Sequence, residues 1–212
     1  MAAAQPAVLW ITAPSLARAL PKLARFPAVP ELVLDLDDCA GLAAAIVDDR
    51  LDGRRVRSVR TRNVADARAL LAAEGGYEVA VAITRETEAW LESLAEVSPR
   101  LALFQPTYER LTENARHDVD LRAFFGRFRH VVPVEGVPAC VLGRAPRALE
   151  RTLDTSMLLP EGRLEIFRYT RRYILEHYRS KSLRCKGCVH AASCDGMHIN
   201  YVRAHGYTLM QP

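Results

Sequence analysis

The chain has 212 residues, half of them hydrophobic and a quarter charged, with a formal net charge of +4. That length buries a sizeable core without disulfide staples, and the composition excludes a collagen-like fibre, a coiled coil and a disordered tail. The positive charge is carried almost wholly by arginine, the only lysines being Lys22, Lys181 and Lys186, and it is too mild to demand a nucleic-acid partner. No apolar run reaches the length a bilayer needs, and Met1 to Pro6 carry neither a basic n-region nor an apolar h-region. A cytoplasmic chain with no membrane span and no secretory signal is expected.

In chain order, β-rich runs fall at Val8 to Thr12, Glu31 to Asp37, Arg55 to Arg60, Glu78 to Thr84, Leu101 to Gln105 and His130 to Val134. Between them, apolar residues recur at helical spacing, as in Leu16, Leu20 and Leu23, or Ala67, Leu70 and Leu71, or Trp90, Leu91 and Leu94. Six short strands separated by helices read as repeated βαβ crossovers on a parallel sheet. Val79 to Ile83 is apolar throughout, as expected of a strand covered on both faces. Either a doubly wound open sheet or a partial (β/α) barrel meets this pattern.

Both shapes bind ligands at the carboxyl ends of their strands. There Asp38, Asn63 and Thr84 read as helix N-caps, while Asp35, Asp37, Glu109 and Glu135 are the carboxylates that an acid–base enzyme would draw on. No rim segment has a glycine-rich nucleotide fingerprint, and Gly75-Gly76 lies at the opposite end.

After Pro146 the alternation stops. A connecting stretch spans Leu149 to Leu159, and a helix is predicted from Glu161 to Leu183. It carries Leu164, Phe167, Ile174, Leu175 and Tyr178 on one face, and Arg168, Arg172 and Arg179 elsewhere. That pattern predicts a helix packed by one apolar stripe with a solvated basic side; contact with RNA is the less favoured use of it.

The five cysteines are unevenly placed: Cys39 and Cys140 stand apart, while Cys185, Cys188 and Cys194 crowd into ten residues. An odd number in a reducing compartment argues against disulfides. Three thiolates at this spacing suit zinc or an iron–sulfur cluster and leave one position to fill. Cys140, Cys39, His190 and His198 are the candidates. Cys140 is preferred, because it follows the last predicted strand where the chain turns toward the cysteine-rich segment. The backbone around Gly187 and Gly196 is a candidate source of hydrogen bonds to the sulfurs, and Lys186, His190 and His198 are surface residues that could place positive charge nearby.

A cysteine after the last strand in Val137-Pro-Ala-Cys140, then Cys185-x2-Cys188-x5-Cys194-x-Gly196, then Tyr201-x4-Gly206-x5-Pro212, resembles the carboxy-terminal half of radical SAM maturases. In these a shortened SPASM region, the twitch domain, holds an auxiliary four-iron cluster. The βα units resemble that superfamily's partial (β/α)6 barrel. The resemblance implies a barrel at residues 1–145, and a helical, metal-clipped segment at 146–212 in which Cys140, Cys185, Cys188 and Cys194 bind a [4Fe–4S] cluster. The chain departs from the family at the first strand. Radical SAM enzymes place Cys-x3-Cys-x2-Cys in the loop that follows, whereas Thr12 to Leu20 contains no cysteine. No S-adenosylmethionine is expected to bind, and the chain alone is not expected to cleave it.

The resulting expectation is a degenerate homologue acting as partner subunit of a complete radical SAM enzyme, with a heteromeric assembly and a peptide or small-molecule substrate. A structural zinc protein with no redox role is the alternative, followed by an independent enzyme using the strand-end rim.

Overall fold

The computed structural model describes residues 7–149 and 157–211; part of the expected connecting stretch lies outside them. The protein is α/β, with a mostly parallel seven-stranded sheet. The first elements are β1 (Val8–Ser15), α1 (Leu16–Leu23), β2 (Glu31–Asp38), α2 (Leu42–Ala45), β3 (Arg50–Leu51), β4 (Arg54–Thr61), α3 (Val64–Ala72) and β5 (Glu78–Ala82). They are followed by α4 (Arg85–Glu92), β6 (Leu101–Phe104), α5 (Leu111–His117), α6 (Leu121–Arg127), β7 (Val134–Glu135) and α7 (Ala139–Leu142). The last are α8 (Ile166–His177), β8 (Arg179–Ser180), β9 (Met197–His198) and α9 (Ile199–His205). Strand order is β1-β2-β4-β5-β6-β7, with the antiparallel β3 on β4. Among the described residues the order does not reverse, so it shows no switch point of the doubly wound kind. Among the described residues, no helix is long and apolar enough to cross a membrane.

The chain divides into two compact units, Met1–Val81 with Arg151–Tyr169, and Ala82–Glu150 with Thr170–Pro212. This division differs from the expected boundary at 145/146. In the first unit, β2 buries five consecutive residues, Leu32 to Leu36, whereas β1 buries only alternate ones, Leu9, Ile11 and Ala13. An apolar edge strand thus shows an alternation that its sequence conceals. Leu23 of α1 is buried as the expected stripe has it, whereas Leu20 is exposed and Ala19 takes its place inward. Asn63 caps α3 by accepting the Asp66 N–H at 2.7 Å. Asp38 is no helix cap; it accepts the Ala40 N–H at 2.8 Å, in a turn before α2.

In the second unit the Thr87 hydroxyl accepts the Thr84 N–H at 3.0 Å and donates to the Ala82 carbonyl at 2.6 Å, which fixes the start of α4 on the end of β5. The last expected strand, His130 to Val134, is displaced to Val134–Glu135. Pro133 has no N–H to give to a ladder, so it supplies only its carbonyl, to Leu103 N–H at 2.9 Å. Val131 is left 83% exposed.

The helix expected over Glu161 to Leu183 is confined to Ile166–His177, and none of its residues is buried. Its start is set by the Glu165 carboxylate, which accepts the N–H groups of Phe167 and Arg168 at 3.2 and 2.7 Å. Its end is set by β8, which pairs antiparallel with β9. The apolar stripe is uncovered, with Phe167 at 81% and Ile174 at 51% exposure, a correction to the packed helix expected above.

Candidate metal centre

Each cysteine of the proposed quartet lies in the second unit and is positioned by a different local device. Cys140 is the second residue of α7, which opens at Pro138 and closes on Gly143 in the left-handed conformation (φ +68°). Cys185 sits in a 3₁₀ turn, Leu183–Gly187, in which the Ser182 hydroxyl accepts the Arg184 N–H at 3.3 Å. The Cys188 N–H returns to the Cys185 carbonyl at 3.2 Å, and the Cys194 N–H to the His190 carbonyl at 2.9 Å. Gly196 (φ +78°) then turns the chain into β9.

These devices bring all four side chains to one place. A cavity of about 10 Å³ is lined by Cys140, Cys185, Cys188 and Cys194, with Pro138, Ala139, Lys181, Ala191, Gly196 and Met210 completing the wall. Its free space is that of roughly one water. Metal bonds to thiolate at about 2.3 Å, inside van der Waals contact, so a site for bonded atoms is tighter than one for a free ligand.

The Cys194 sulfur accepts two backbone N–H groups, from Ala139 and Gly196, both at 3.4 Å. Burial pushes the Cys140 thiol up; the Gln211 amide and the Arg122 guanidinium pull it back, and neighbouring Cys185 and Cys194 raise it further. Arg122 donates to the carbonyls of Leu209 (3.0 Å) and Gln211 (3.2 Å), holding the segment that carries Met210 over the sulfurs. Arg179 donates to the carbonyls of Gly136 and Gly196. Burial lowers its guanidinium pKa to about 10, against the pull of Asp195 and Cys194.

Among the described residues, no group of three or more His, Cys, Asp or Glu side chains stands arranged to hold a single metal ion. A tetrahedral zinc site draws four sulfurs to within about 3.8 Å of one another. A cluster spreads its irons outward and takes sulfurs set farther apart. Four cysteines around one cavity are a donor set that zinc or an iron–sulfur cluster would use.

The other fourth-ligand candidates are placed elsewhere. Cys39 follows β2 in the first unit, 5% exposed, with its N–H on Asp66 and its thiol pushed up to about 12 by burial and the nearby carboxylates. His190 does not line the cavity. His198, expected at the surface, is buried. Its Nδ1 accepts the Asn200 N–H at 3.3 Å and its Nε2 faces the Ile174 carbonyl at 3.2 Å, so both nitrogens are used and the ring is neutral. Burial holds its pKa near 4.

Of the rim carboxylates, Asp37 is exposed, and the other three are engaged in ion pairs. Asp35 binds Arg62 at 2.5 Å and lies 3.9 Å from Arg60, Glu135 lies 3.6 Å from Arg147, and Glu109 pairs with Arg171, which lowers its pKa. Arg168 and Arg172 likewise meet Glu165 (3.8 Å) and Glu176 (2.5 Å), which leaves little of the expected basic helix side for phosphate.

One cluster has no sequence signal, because its members lie far apart along the chain. Asp118, buried, accepts from Gln105 (3.2 Å) and Asn114 (2.9 Å) and meets His205 Nε2 at 2.9 Å, while Tyr201 donates to the Val119 carbonyl at 2.9 Å. It fastens α9 against the end of α5.

No family model matches this chain, and neither a curated protein nor a solved structure matches it.

Proposed function

We propose that the chain is an iron–sulfur protein, a degenerate relative of radical SAM enzymes on a partial (β/α)6 barrel, that serves as partner subunit of a complete radical SAM enzyme. The observation that carries this reading is the convergence of Cys140, Cys185, Cys188 and Cys194 on one cavity. The unreversed strand order supports the barrel, since it is the order a (β/α) barrel has. β1 passes directly into α1 at Ser15–Leu16, leaving no loop to carry a second set of cluster ligands. The uncovered apolar stripe of α8 supports a protein partner.

When bound, a [4Fe–4S] cluster supplies one-electron transfer. The chain's own residues set the conditions for it. Cys140, Cys185, Cys188 and Cys194 would hold the group. The Ala139 and Gly196 N–H groups stabilise negative charge on the Cys194 sulfur, and the cations of Lys181, Arg179 and Arg122 act in the same direction, favouring the reduced state. Met210, itself buried, forms part of the cavity wall.

Anaerobic purification with iron, acid-labile sulfide and zinc analysis tests the reading. Wild type and Cys39→Ala are expected brown with iron and sulfide, and Cys140→Ala depleted of both. A colourless protein carrying zinc and no sulfide would overturn the cluster. Full iron in Cys140→Ala but not in Cys39→Ala would overturn the ligand set. Co-purification of a radical SAM enzyme, lost in Phe167→Glu/Ile174→Glu, tests the partnership.

A further inference from the structure

Beside the cysteine cavity a groove of about 500 Å³ is lined by Lys181, Ser182, Leu183, Arg184, Tyr207 and Thr208. That is within the size range of small-molecule sites. No carboxylate lines it, and from Tyr178 to Pro212 the sequence holds five Lys or Arg residues against the single acid Asp195. The surroundings are therefore cationic. The two cations of the wall differ. Lys181 Nζ donates to the Ala191 carbonyl at 2.7 Å, whereas Arg184 is exposed and, among the described residues, its guanidinium pairs with no carboxylate. Leu183, 84% exposed, and the Tyr207 ring, 45% exposed, add apolar surface; the Tyr207 hydroxyl meets Ser180 Oγ at 3.0 Å.

We propose that this groove binds a small organic anion with an apolar body, such as an aliphatic or aromatic carboxylate. Arg184 receives the carboxylate, the Ser182 and Thr208 hydroxyls complete its hydrogen bonds, and the body lies on Leu183 and Tyr207. An exposed aliphatic wall with one ring suits such a body better than it suits a nucleic-acid strand, which takes successive stacking rings and a track of cations. Because Lys181 lines both the groove and the cysteine cavity, an anion here lies one side chain from the sulfurs. The groove itself does not depend on the cluster reading; only this neighbourhood rests on it.

Calorimetric titration of the purified full chain with hexanoate, benzoate, hexanol, inorganic phosphate and a dT10 oligonucleotide tests the proposal, with iron content and visible absorption recorded on the same samples. Hexanoate and benzoate are expected to bind at least tenfold tighter than hexanol or phosphate. Arg184→Glu is expected to weaken them at least tenfold, Arg184→Lys by less, and Leu183→Ser to weaken hexanoate while leaving phosphate unchanged. Equal binding of hexanol and hexanoate, no effect of Arg184→Glu, or tighter binding of the oligonucleotide would each overturn it. Missing iron with intact carboxylate binding refutes the cluster alone; full iron with no carboxylate binding refutes the groove alone.

Discussion

Gly196→Ala separates the turn that builds the cysteine cavity from ordinary glycine effects. Gly196 has φ +78°, and a Cβ there would stand 2.2 Å from the Ser180 carbonyl oxygen and 2.8 Å from its carbon. Gly143, in the same unit, has φ +68° but nothing within 4 Å of a Cβ. The left-handed conformation alone costs an L-residue about 1–2 kcal/mol, and this is the whole cost expected for Gly143→Ala. At Gly196 the added carbon must also displace backbone of β8, a further 1–3 kcal/mol or so by analogy with overpacked cores. That displacement separates β8 from β9 and shifts the N–H that Cys194 accepts. Urea unfolding of the anaerobic protein should therefore show Gly196→Ala losing about 2–5 kcal/mol and much of its iron, and Gly143→Ala losing about 1–2 kcal/mol with iron retained. Equal midpoints and full iron in both variants would refute the reasoning.

Three further outcomes are expected. His198 is depressed from an ordinary 6.5 to about 4, so the unfolded chain binds the extra proton. Its contribution is present above about pH 6.5 and is lost as pH falls toward 4, a decline of about 3 kcal/mol. Urea midpoints of His198→Asn, which keeps a side-chain acceptor for the Asn200 N–H, should lack that part of the slope. Arg122→Ala removes both donors that hold Leu209 and Gln211; two bonds of about 0.5–1.5 kcal/mol each make opening of the segment about 5- to 150-fold easier, read as faster bleaching of the visible absorption in air. Cys39, with its thiol near 12, should stay unalkylated by iodoacetamide at pH 8 in the native protein, and become labelled in urea.

The strands were legible because buried parallel strands are apolar runs: β2, β5 and β6 stand where Glu31 to Asp37, Glu78 to Thr84 and Leu101 to Gln105 place them. β7 was not, since Pro133 deprives an apolar run of a backbone donor. β3 was missed although Asp52-Gly53, both at positive φ, carries the two-residue hairpin signal; a two-residue strand offers no apolar pattern beside it. The convergence of three cysteines follows from local spacing and that of Cys140 from its place after the last strand, but His198 shows the limit. A polar residue beside a turn reads as solvent-facing, and only tertiary packing reveals that both its nitrogens are taken by backbone. The stripe on α8 errs in the opposite sense, because a helical period records which residues share a face, never whether anything lies against it.

The unreversed strand order bears on how the molecule is made. Along the main path each strand pairs with the one preceding it on that path, and Val8 meets Glu31 and Glu31 meets Arg55, so each parallel pairing closes one crossover loop. The cysteine cavity joins positions about twice as far apart: 45 positions separate Cys140 from Cys185, and a doubling of loop length adds about 0.6 kcal/mol to its closure. On the proposed reading, capture of a cluster would tie Cys185, Cys188 and Cys194 to Cys140 across that loop, and docking of this segment would follow the supply of iron and sulfide.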